Sequence, residues 1–268
     1  MKEPRVELYT QCWNDFDMLP FFFRHYDPFV SRYIIYDDGS DAQTKSYLAS
    51  HPNVELKSFV RSDPESFVLS EQSLSNECWK ASRGRADWVI VTDIDEHLFH
   101  PHMANYLQRC MALGVTMIPA LGFQMVSDSM PQSDAVLADD CPFGAPWSQM
   151  MKLSMFDPNQ ITEINFALGR HRAQPIGRLS VPAVDEVLLL HYKYLNLSRT
   201  FARHLALDAK LGAKDHASGW GHKYSWSCET LAVDWQAFEQ DCVDTREYRP
   251  ATGKQYPIAP WWDKSWCC

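Results

Sequence analysis

The sequence predicts a single α/β domain with a mostly parallel sheet flanked by helices, and three observations lead to this expectation. Through the first hundred residues, short apolar runs alternate with segments of helical periodicity, which is the pattern of strands joined by crossover helices. The 268-residue chain is 46% hydrophobic and contains 10 Trp, so it can bury a substantial core. No internal repeat, low-complexity tract or linker divides it, which favours one domain over residues 1–268.

The elements of residues 1–100 follow from local signals. Strands are expected where apolar residues alternate or run together between turn-forming residues, and helices where they recur every three to four positions. The predicted segments are, in order, strand 6–12, helix 18–26, strand 32–36, helix 41–50, strand 54–60, helix 70–85 and strand 88–91. Such alternation implies right-handed crossovers, with helices on both faces of the sheet.

The second half of the chain, residues 101–268, is less regular. We expect one or two strands within 115–126 around Pro119, a turn-rich loop at 139–147, a strand at 187–192 and a helix at 197–211. The tail after Asp244 is rich in Pro and Trp and shows no period. This half should therefore form an irregular region beside the regular sheet of the first half.

Net charge and cysteine usage exclude several functional classes. The formal net charge of −9 argues against nucleic-acid binding, which needs a basic surface. Eight Cys occur without a CxxC pair, so no zinc site is expected, and the adjacent Cys267 and Cys268 match no pattern. The first residues lack the apolar core of a signal peptide, and the longest apolar run, 111–123, is too short to span a membrane. We expect a cytoplasmic protein without a transmembrane segment, with peripheral association at the inner membrane face left open.

Polar clusters follow three of the predicted strands, at 11–14, 37–40 and 93–96. Ligands of open parallel sheets bind beyond the carboxyl ends of the strands, so these clusters are expected to share one site. Asp93 and Asp95 are two residues apart, which on a strand puts their Cα atoms roughly 7 Å apart on one face. Two such carboxylates can flank one Mg²⁺ or Mn²⁺ ion. The alternative is that Asp93 caps the following turn while Glu96 faces solvent.

Several of these stretches together resemble a known family. They are "CWNDFDMLPFFFRHY", "YDDGSD", "SNECWK", "WVIVTDIDEHL", "GRHRAQPIG" and "LLLHYKYL", in chain order. Over about residues 5–205 they resemble family 2-like glycosyltransferases of the GT-A fold, in the branch whose metal motif reads DxDE. The chain departs from that branch at Asp15, where Glu is usual, and at His97, where an aromatic residue is usual.

The resemblance implies a nucleoside-diphosphate sugar donor bound by residues 1–100, with residues 101–268 on the acceptor side. It also implies Mn²⁺ or Mg²⁺ as cofactor, because an ion bridging the phosphates stabilises the leaving diphosphate. The implied donor-binding residues are Cys12 and Asn14 beside the base, Asp37 or Asp38 on the base or ribose, and Asn76, Lys80 and Asp93 near the sugar or diphosphate. The implied metal ligands are Asp93, Asp95 and His191, with Asp95 the more direct of the pair, and His171 competes with His191. Arg83 and Arg85 are further candidates near the phosphates.

An inverting transfer also needs a carboxylate that deprotonates the acceptor hydroxyl. Asp185 and Glu186 lie at about the family's position for this base, and Asp139 with Asp140 are the alternative. The acceptor implied by the resemblance is a saccharide or a lipid-linked saccharide, as in surface polysaccharide synthesis. Aromatic residues that could stack on an acceptor sugar, with core packing as the alternative role, are Trp147, Trp220 and Trp226.

Two other functions also fit parts of the pattern. A haloacid-dehalogenase-type phosphatase has Asp-x-Asp at its first strand, with Thr or Ser two residues after the second Asp. Here the motif follows the fourth predicted strand and position 97 is His, which disfavours that function. A non-catalytic nucleotide-sugar-binding module stays open, because no motif identifies the catalytic base.

Overall fold

The computed structural model describes residues 3–266, and its centre is a ten-stranded mixed sheet. The strands β1 to β12 are Val6–Cys12, Arg32–Asp37, Val54–Ser58, Trp88–Val91, Glu96–Phe99, Met117–Ser127, Phe143–Pro146, Lys152–Phe156, Ile161–Glu163, Ile176–Gly177, Leu188–Leu195 and Val243–Asp244. The helices α1 to α8 are Leu19–Tyr26, Ala42–Ser50, Phe67–Glu77, Met103–Ala112, Leu137–Asp140, Leu197–Asp208, Ala213–Ala217 and Cys228–Gln240. Cys267 and Cys268 lie outside the described residues.

The sheet joins a parallel half to an antiparallel half. Its order is β12-β7-β6-β8-β4-β1-β2-β3, and β3, β2, β1 and β4 are parallel neighbours. Strands β8, β6, β7 and β12 continue it antiparallel, while β11 runs parallel to β6 and antiparallel to β5. The predicted α/β class is therefore confirmed, and the carboxyl ends of β1, β2 and β4 lie at one edge.

Local signals explain where the first helices begin. Asp41 caps α2 by accepting from the backbone N–H of Thr44 at 2.7 Å, and Ser66 caps α3 in the same way through Leu69 at 3.0 Å. The prediction of a helix over 70–85 was wrong at both ends. Helix α3 begins earlier, at Phe67, and ends at Glu77, after which the chain forms a 3₁₀ turn, Cys78–Ser82. That tighter turn carries the fully buried Trp79 against Phe156, with ring centroids 4.9 Å apart.

The second half contains more regular structure than predicted. A single strand, β6, passes through Pro119, and its pairing with β8 shifts register between Ile118 and Ala120 because proline cannot donate to the ladder. The predicted 187–192 strand and 197–211 helix correspond to β11 and α6. The sequence did not predict β5, α4, β8, β9 or α8. Of the helices between residues 3 and 266, none has the length and apolar composition needed to cross a membrane.

Candidate functional site

A cleft of about 500 Å³ opens at the edge where the parallel strands end. Residues that follow β1, the β4–β5 turn, β11 and one face of α6 line it, and the segment after α7 closes one side. The lining residues that matter below are Trp13, Asp15, Glu71, Asp93, Asp95, His171, His191, Lys193, Arg199, Arg203, Trp220 and Tyr224. The position of the cleft agrees with the rule that ligands of such sheets bind beyond the strand ends.

The structure brings Asp95 and His191 together, although they are far apart in the chain. Strand β5 begins directly after the DxD pair and runs antiparallel to β11, so that Glu96 lies opposite His191. The backbone N–H of Tyr192 donates to the carbonyl oxygen of Asp95 at 2.7 Å. As a result, Nε2 of His191 lies 3.6 Å from Oδ2 of Asp95 in the cleft.

The side chain of Gln124 fixes the tautomer of His191. Its Nε2 donates to the carbonyl oxygens of Met125 at 3.0 Å and of His191 at 3.3 Å, which leaves Oε1 to accept from Nδ1 of His191 at 2.7 Å. Nδ1 therefore carries a hydrogen. When the His191 ring loses the hydrogen on Nε2, it presents the lone pair of that nitrogen towards Asp95, which is the form in which histidine binds a metal.

Asp93 is turned away from this pair. Its side chain is 46% exposed and its Oδ2 lies 3.0 Å from Nη2 of Arg170. Between residues 3 and 266, no group of three or more His, Cys, Asp or Glu side chains is placed to hold a metal ion. The two-residue set of Asp95 and His191 nevertheless fits Mg²⁺ or Mn²⁺, because such ions are commonly bound by one or two protein ligands together with waters and substrate phosphates.

Four charged side chains lie behind the DxD turn, and we call Glu71, Glu96, Lys152 and Arg170 the charge frame. Glu71 is partly exposed and the other three are buried. Glu96 is 1% exposed and accepts from Nζ of Lys152 at 2.5 Å and from Nη2 of Arg170 at 2.9 Å. Nη1 of Arg170 donates to Glu71 at 2.8 Å. Burial would raise the pKa of Glu96, but Lys152 and Arg170 hold that pKa well below its usual value of 4.5.

The two basic members of the charge frame were not predicted. Arg170 lies within the stretch GRHRAQPIG, in which the resemblance implies a role for His171 only. Lys152 belongs to no motif. The positive φ of 57° at Arg170 could not be read from the sequence, since that region is uncommon for residues other than glycine. Glu96 is thus a buried anchor of the turn, which overturns the alternative in which it faced solvent.

The electrostatics of the cleft favour a charged Asp95. Burial alone would raise the pKa of Asp95, but the positive charge of a protonated His191 and the ammonium of Lys193 outweigh it and hold the pKa below its usual range. Burial likewise opposes the charge of Lys193, but Tyr224 and Asp95 raise the pKa of its ammonium above the usual value. Asp95 is therefore ionised at neutral pH, as a metal ligand must be.

Asn14, one of the expected donor-binding residues, ties the loop after β1 to the loop after β2. Asn14, at a φ of 53°, accepts from the backbone N–H of Asp41 at 2.7 Å and donates its own N–H to Ser40 at 3.0 Å. Asp37 accepts from the N–H of Ser40 at 3.0 Å, and Cys12 is fully buried. Cys12, Asn14 and Asp37 are not among the residues that line the cleft.

Asp38 is engaged by a residue from the far half of the chain. Nζ of Lys210 forms an ion pair with the Asp38 carboxylate and donates to its carbonyl oxygen at 2.8 Å. The same ammonium lies 4.1 Å from the ring centroid of Trp13, whose backbone carbonyl accepts from Arg203 at 2.8 Å. Lys210 and Arg203 thus hold the loop after β1 against the end of α6.

The remaining predicted donor residues lie outside the cleft lining. Asn76 clamps the backbone of Phe166, accepting from its N–H at 2.7 Å and donating to its carbonyl at 3.2 Å. Lys80 pairs with Glu77 and Glu163, each at 2.7 Å. The other two cations, Arg83 and Arg85, bind the Thr162 carbonyl at 2.6 Å and Glu7 at 3.2 Å respectively.

His171 does line the cleft, although its Nδ1 is engaged by the carbonyl of Gln149 at 2.7 Å. Burial, aided by the charge of Lys152, lowers the pKa of His171 to about 4. Its ring is therefore neutral at pH 7. No distance below 4.0 Å joins it to a carboxylate of the described residues, so it is placed less well than His191 to share an ion with Asp95.

The candidate bases are held in ion pairs away from the cleft lining. Asp185 accepts from Lys264 at 2.5 Å and from Nε1 of Trp262 at 3.2 Å, and Glu186 pairs with Arg109. The competing pair does not line the cleft either: Asp139 binds Arg249 at 2.8 Å and Asp140 accepts from the N–H of Val136 at 2.7 Å. The carboxylates that do line it are Asp15, Glu71, Asp93 and Asp95.

Of the three tryptophans considered for the acceptor, Trp220 lines the cleft, whereas Trp147 packs on Phe238 with ring centroids 5.1 Å apart and Trp226 packs against Lys223.

No protein-family model matches the chain, and a search of curated proteins finds no match. The resemblance to glycosyltransferases therefore stays a prediction.

Proposed function

We propose that this protein is a metal-dependent glycosyltransferase that moves a sugar from a nucleoside-diphosphate donor to an acceptor hydroxyl. The observation that carries the proposal is the pair formed by Asp95 and His191, with Nε2 and Oδ2 3.6 Å apart in a cleft at the ends of parallel strands. The saccharide or lipid-linked acceptor depends on the family resemblance alone. The cytoplasmic location, with association at the inner membrane face, depends on the sequence signals for targeting and membrane insertion.

Asp95 and His191 would hold the divalent ion in this proposal. When bound, such an ion neutralises the negative charge that gathers on the leaving diphosphate. The protein keeps its two ligands ready in different ways. Gln124 orients the ring of His191, and the β5–β11 pairing places the backbone of Asp95 beside Tyr192. Preformed ligands of this kind reduce the ordering that binding would otherwise require.

The charge frame would keep the DxD turn rigid during turnover. Thr92 Oγ1 donates to Glu96 at 3.2 Å, and the backbone N–H of Asp93 donates to the same carboxylate at 3.3 Å. Arg170 also bonds to Asp93 at 3.0 Å, which leaves Asp95 as the carboxylate of the pair that faces His191. Asp93 can still contact the donor or an ion through water, because almost half of its side chain is exposed.

The test is a thermal-shift screen of the four common nucleoside diphosphates with and without Mn²⁺. We expect at least one of them to raise the midpoint only when Mn²⁺ is present, because the ion joins the ligand to Asp95 and His191. Asp95→Asn should remove this effect, whereas Asp241→Asn, an exposed carboxylate change on the far end of α8, should not. If no nucleoside diphosphate stabilises the wild-type protein in a metal-dependent way, the proposal fails.

Hydrolysis of the sugar donor separates an enzyme from a binding module. A module would show the same thermal shift as an enzyme but no release of sugar from the donor. We expect slow, Mn²⁺-dependent hydrolysis by the wild-type protein. Mutation of a residue that only supports a metal ligand typically lowers activity by roughly 10- to 100-fold. Asp95→Asn removes the proposed ligand itself, so it should lower the rate of donor hydrolysis by more than this. Full hydrolysis by the variant would refute the role of Asp95.

A further inference from the structure

One cation in the cleft has no carboxylate partner among residues 3–266. Three lysine or arginine side chains line the cleft, and two of them are neutralised by the loop after β1: Arg203 binds Asp15 at 2.6 Å and Arg199 pairs with Asp17. The third is Lys193, and no carboxylate oxygen of the described residues lies within 4.0 Å of its ammonium. Its one hydrogen bond among those residues goes to Tyr224 Oη, at 3.1 Å.

Lys193 is held in place by Tyr224. The ammonium lies 4.5 Å from the ring centroid of Tyr224 as well as within hydrogen-bond distance of its hydroxyl. A cation over an aromatic face is attracted by the ring, but an ammonium has three donors and here uses one. Lys193 is only partly exposed, so the protein withdraws a charge from water without supplying an opposite charge in contact with it.

The position of Lys193 points to the ligand that would supply this charge. It follows His191 by two residues on β11 and lines the same cleft as Asp95. An anion in this cleft would therefore meet the ammonium on one side and any ion held by Asp95 and His191 on another. A carboxylate offers two oxygens that share a single negative charge, whereas a diphosphate has several charged oxygens and more than one negative charge to divide between the ammonium and the ion.

We infer that Lys193 binds the diphosphate of the donor directly, so that a fixed protein cation as well as a divalent ion stabilises the leaving group. This inference rests on the proposed function. In it, Lys193 donates hydrogen bonds to phosphate oxygens and keeps its proton throughout, while Tyr224 positions the ammonium. The contact strengthens as the bond to the sugar breaks, because negative charge then accumulates on those oxygens.

Titration calorimetry with inorganic pyrophosphate and with nucleoside diphosphates tests the contact. Loss of one charge-assisted hydrogen bond should make Lys193→Met bind pyrophosphate about 10- to 100-fold more weakly than wild type. Lys193→Arg should recover most of the affinity. Lys57→Met, which removes a partly exposed lysine on β3 outside the cleft lining, should change nothing. Affinity for the free nucleosides should stay the same in all four proteins. Equal binding of pyrophosphate by wild type and Lys193→Met would overturn the inference.

A second measurement uses the wild-type protein, so it holds even if the variants fold poorly. Acetylation by acetic anhydride, followed by peptide mass spectrometry, should be slowed at Lys193 by saturating pyrophosphate but not at Lys57. Unchanged acetylation of Lys193 would overturn the inference. If nucleoside diphosphates bind but Lys193 has no part, the inference alone fails. If pyrophosphate binds through Lys193 but no nucleoside diphosphate binds more tightly, the donor in the proposed function fails instead.

Discussion

Replacement of Arg170 by methionine is the most direct test of the charge frame. The Arg170 side chain is 3% exposed and contacts three carboxylates: Glu71 at 2.8 Å, Glu96 at 2.9 Å and Asp93 at 3.0 Å. Methionine approximates the aliphatic part of arginine and removes only the charge and its donors. Arginine and methionine both carry a Cβ, so the substitution adds no new steric cost at the positive φ of 57°.

The size of the effect follows from what each carboxylate loses. Removal of one partner from a buried ion pair typically costs about 3–5 kcal/mol, because the remaining charge is left uncompensated. Glu96 keeps Lys152, and burial already raises the pKa of Glu71, so Glu71 can take up a proton when its partner is lost. We therefore expect the lower end, about 3 kcal/mol, from a total stability on the order of 5–15 kcal/mol.

Urea unfolding followed by circular dichroism measures this change. With a slope of about 3 kcal/mol per molar urea, at the upper end for small domains, the midpoint of Arg170→Met should fall by about 1 M. Arg172→Met is the matched control, because Arg172 is exposed and stacks over Trp261 at 5.5 Å, so it should change stability by no more than about 0.5 kcal/mol. Equal midpoints for the two variants would refute the idea that the frame holds this region together.

Two further predictions concern the partly buried His25 and the buried His191. Burial lowers the pKa of His25 to about 4 from 6.5, so between these values the unfolded chain binds a proton that the folded chain excludes, and stability falls as pH falls. In urea unfolding across this pH range, His25→Gln should reduce the slope of the unfolding free energy with pH by up to about 1.4 kcal/mol per pH unit. His216→Gln, at an exposed position, should leave the slope unchanged. An unaltered slope for His25→Gln would contradict the prediction. Gln124→Leu removes the acceptor of His191 Nδ1, so we expect the Mn²⁺ concentration needed for a given thermal shift with nucleoside diphosphate to rise about 10-fold. An unchanged Mn²⁺ requirement would show that Gln124 does not orient the ligand.

The parallel half of the fold could be predicted because its signals are local. Strands β1 and β4 begin and end where expected, since β1 alternates apolar and polar residues and β4 is a continuous apolar run. Strand β5 was missed for the opposite reason. It contains only four residues, and two of them, Glu96 and His97, are polar residues that local pattern assigns to a loop. They are buried because Lys152 and Arg170, from distant positions, neutralise Glu96, while His97 stacks on His25 at 4.6 Å.

The residues of the candidate site divide in the same way, into those marked by a local sequence signal and those that are not. The spacing of Asp93 and Asp95 is a local signal, and the late histidine, His191, ends an apolar run. Lys193 and Arg170 give no such signal, because one basic residue acquires meaning only from what tertiary contacts place beside it. Polar residues at the other strand ends, such as Asn14, bond to neighbouring loops in the structure, which is the turn and capping chemistry that competes with any ligand role.

The DxDE sequence thus combines a proposed metal ligand and its support within four residues. Alternation along the chain directs Asp95 to the cleft and the next residue, Glu96, into the protein. Glu96 meets Lys152 and Arg170 there, and Arg170 in turn bonds to Asp93. A neutral residue in place of Glu96 would leave two buried cations without their shared partner, and the turn that carries Asp95 would lose its anchor. Asp95 and the buried Glu96 are therefore coupled, because the position of Asp95 in the cleft depends on the ion pairs of Glu96.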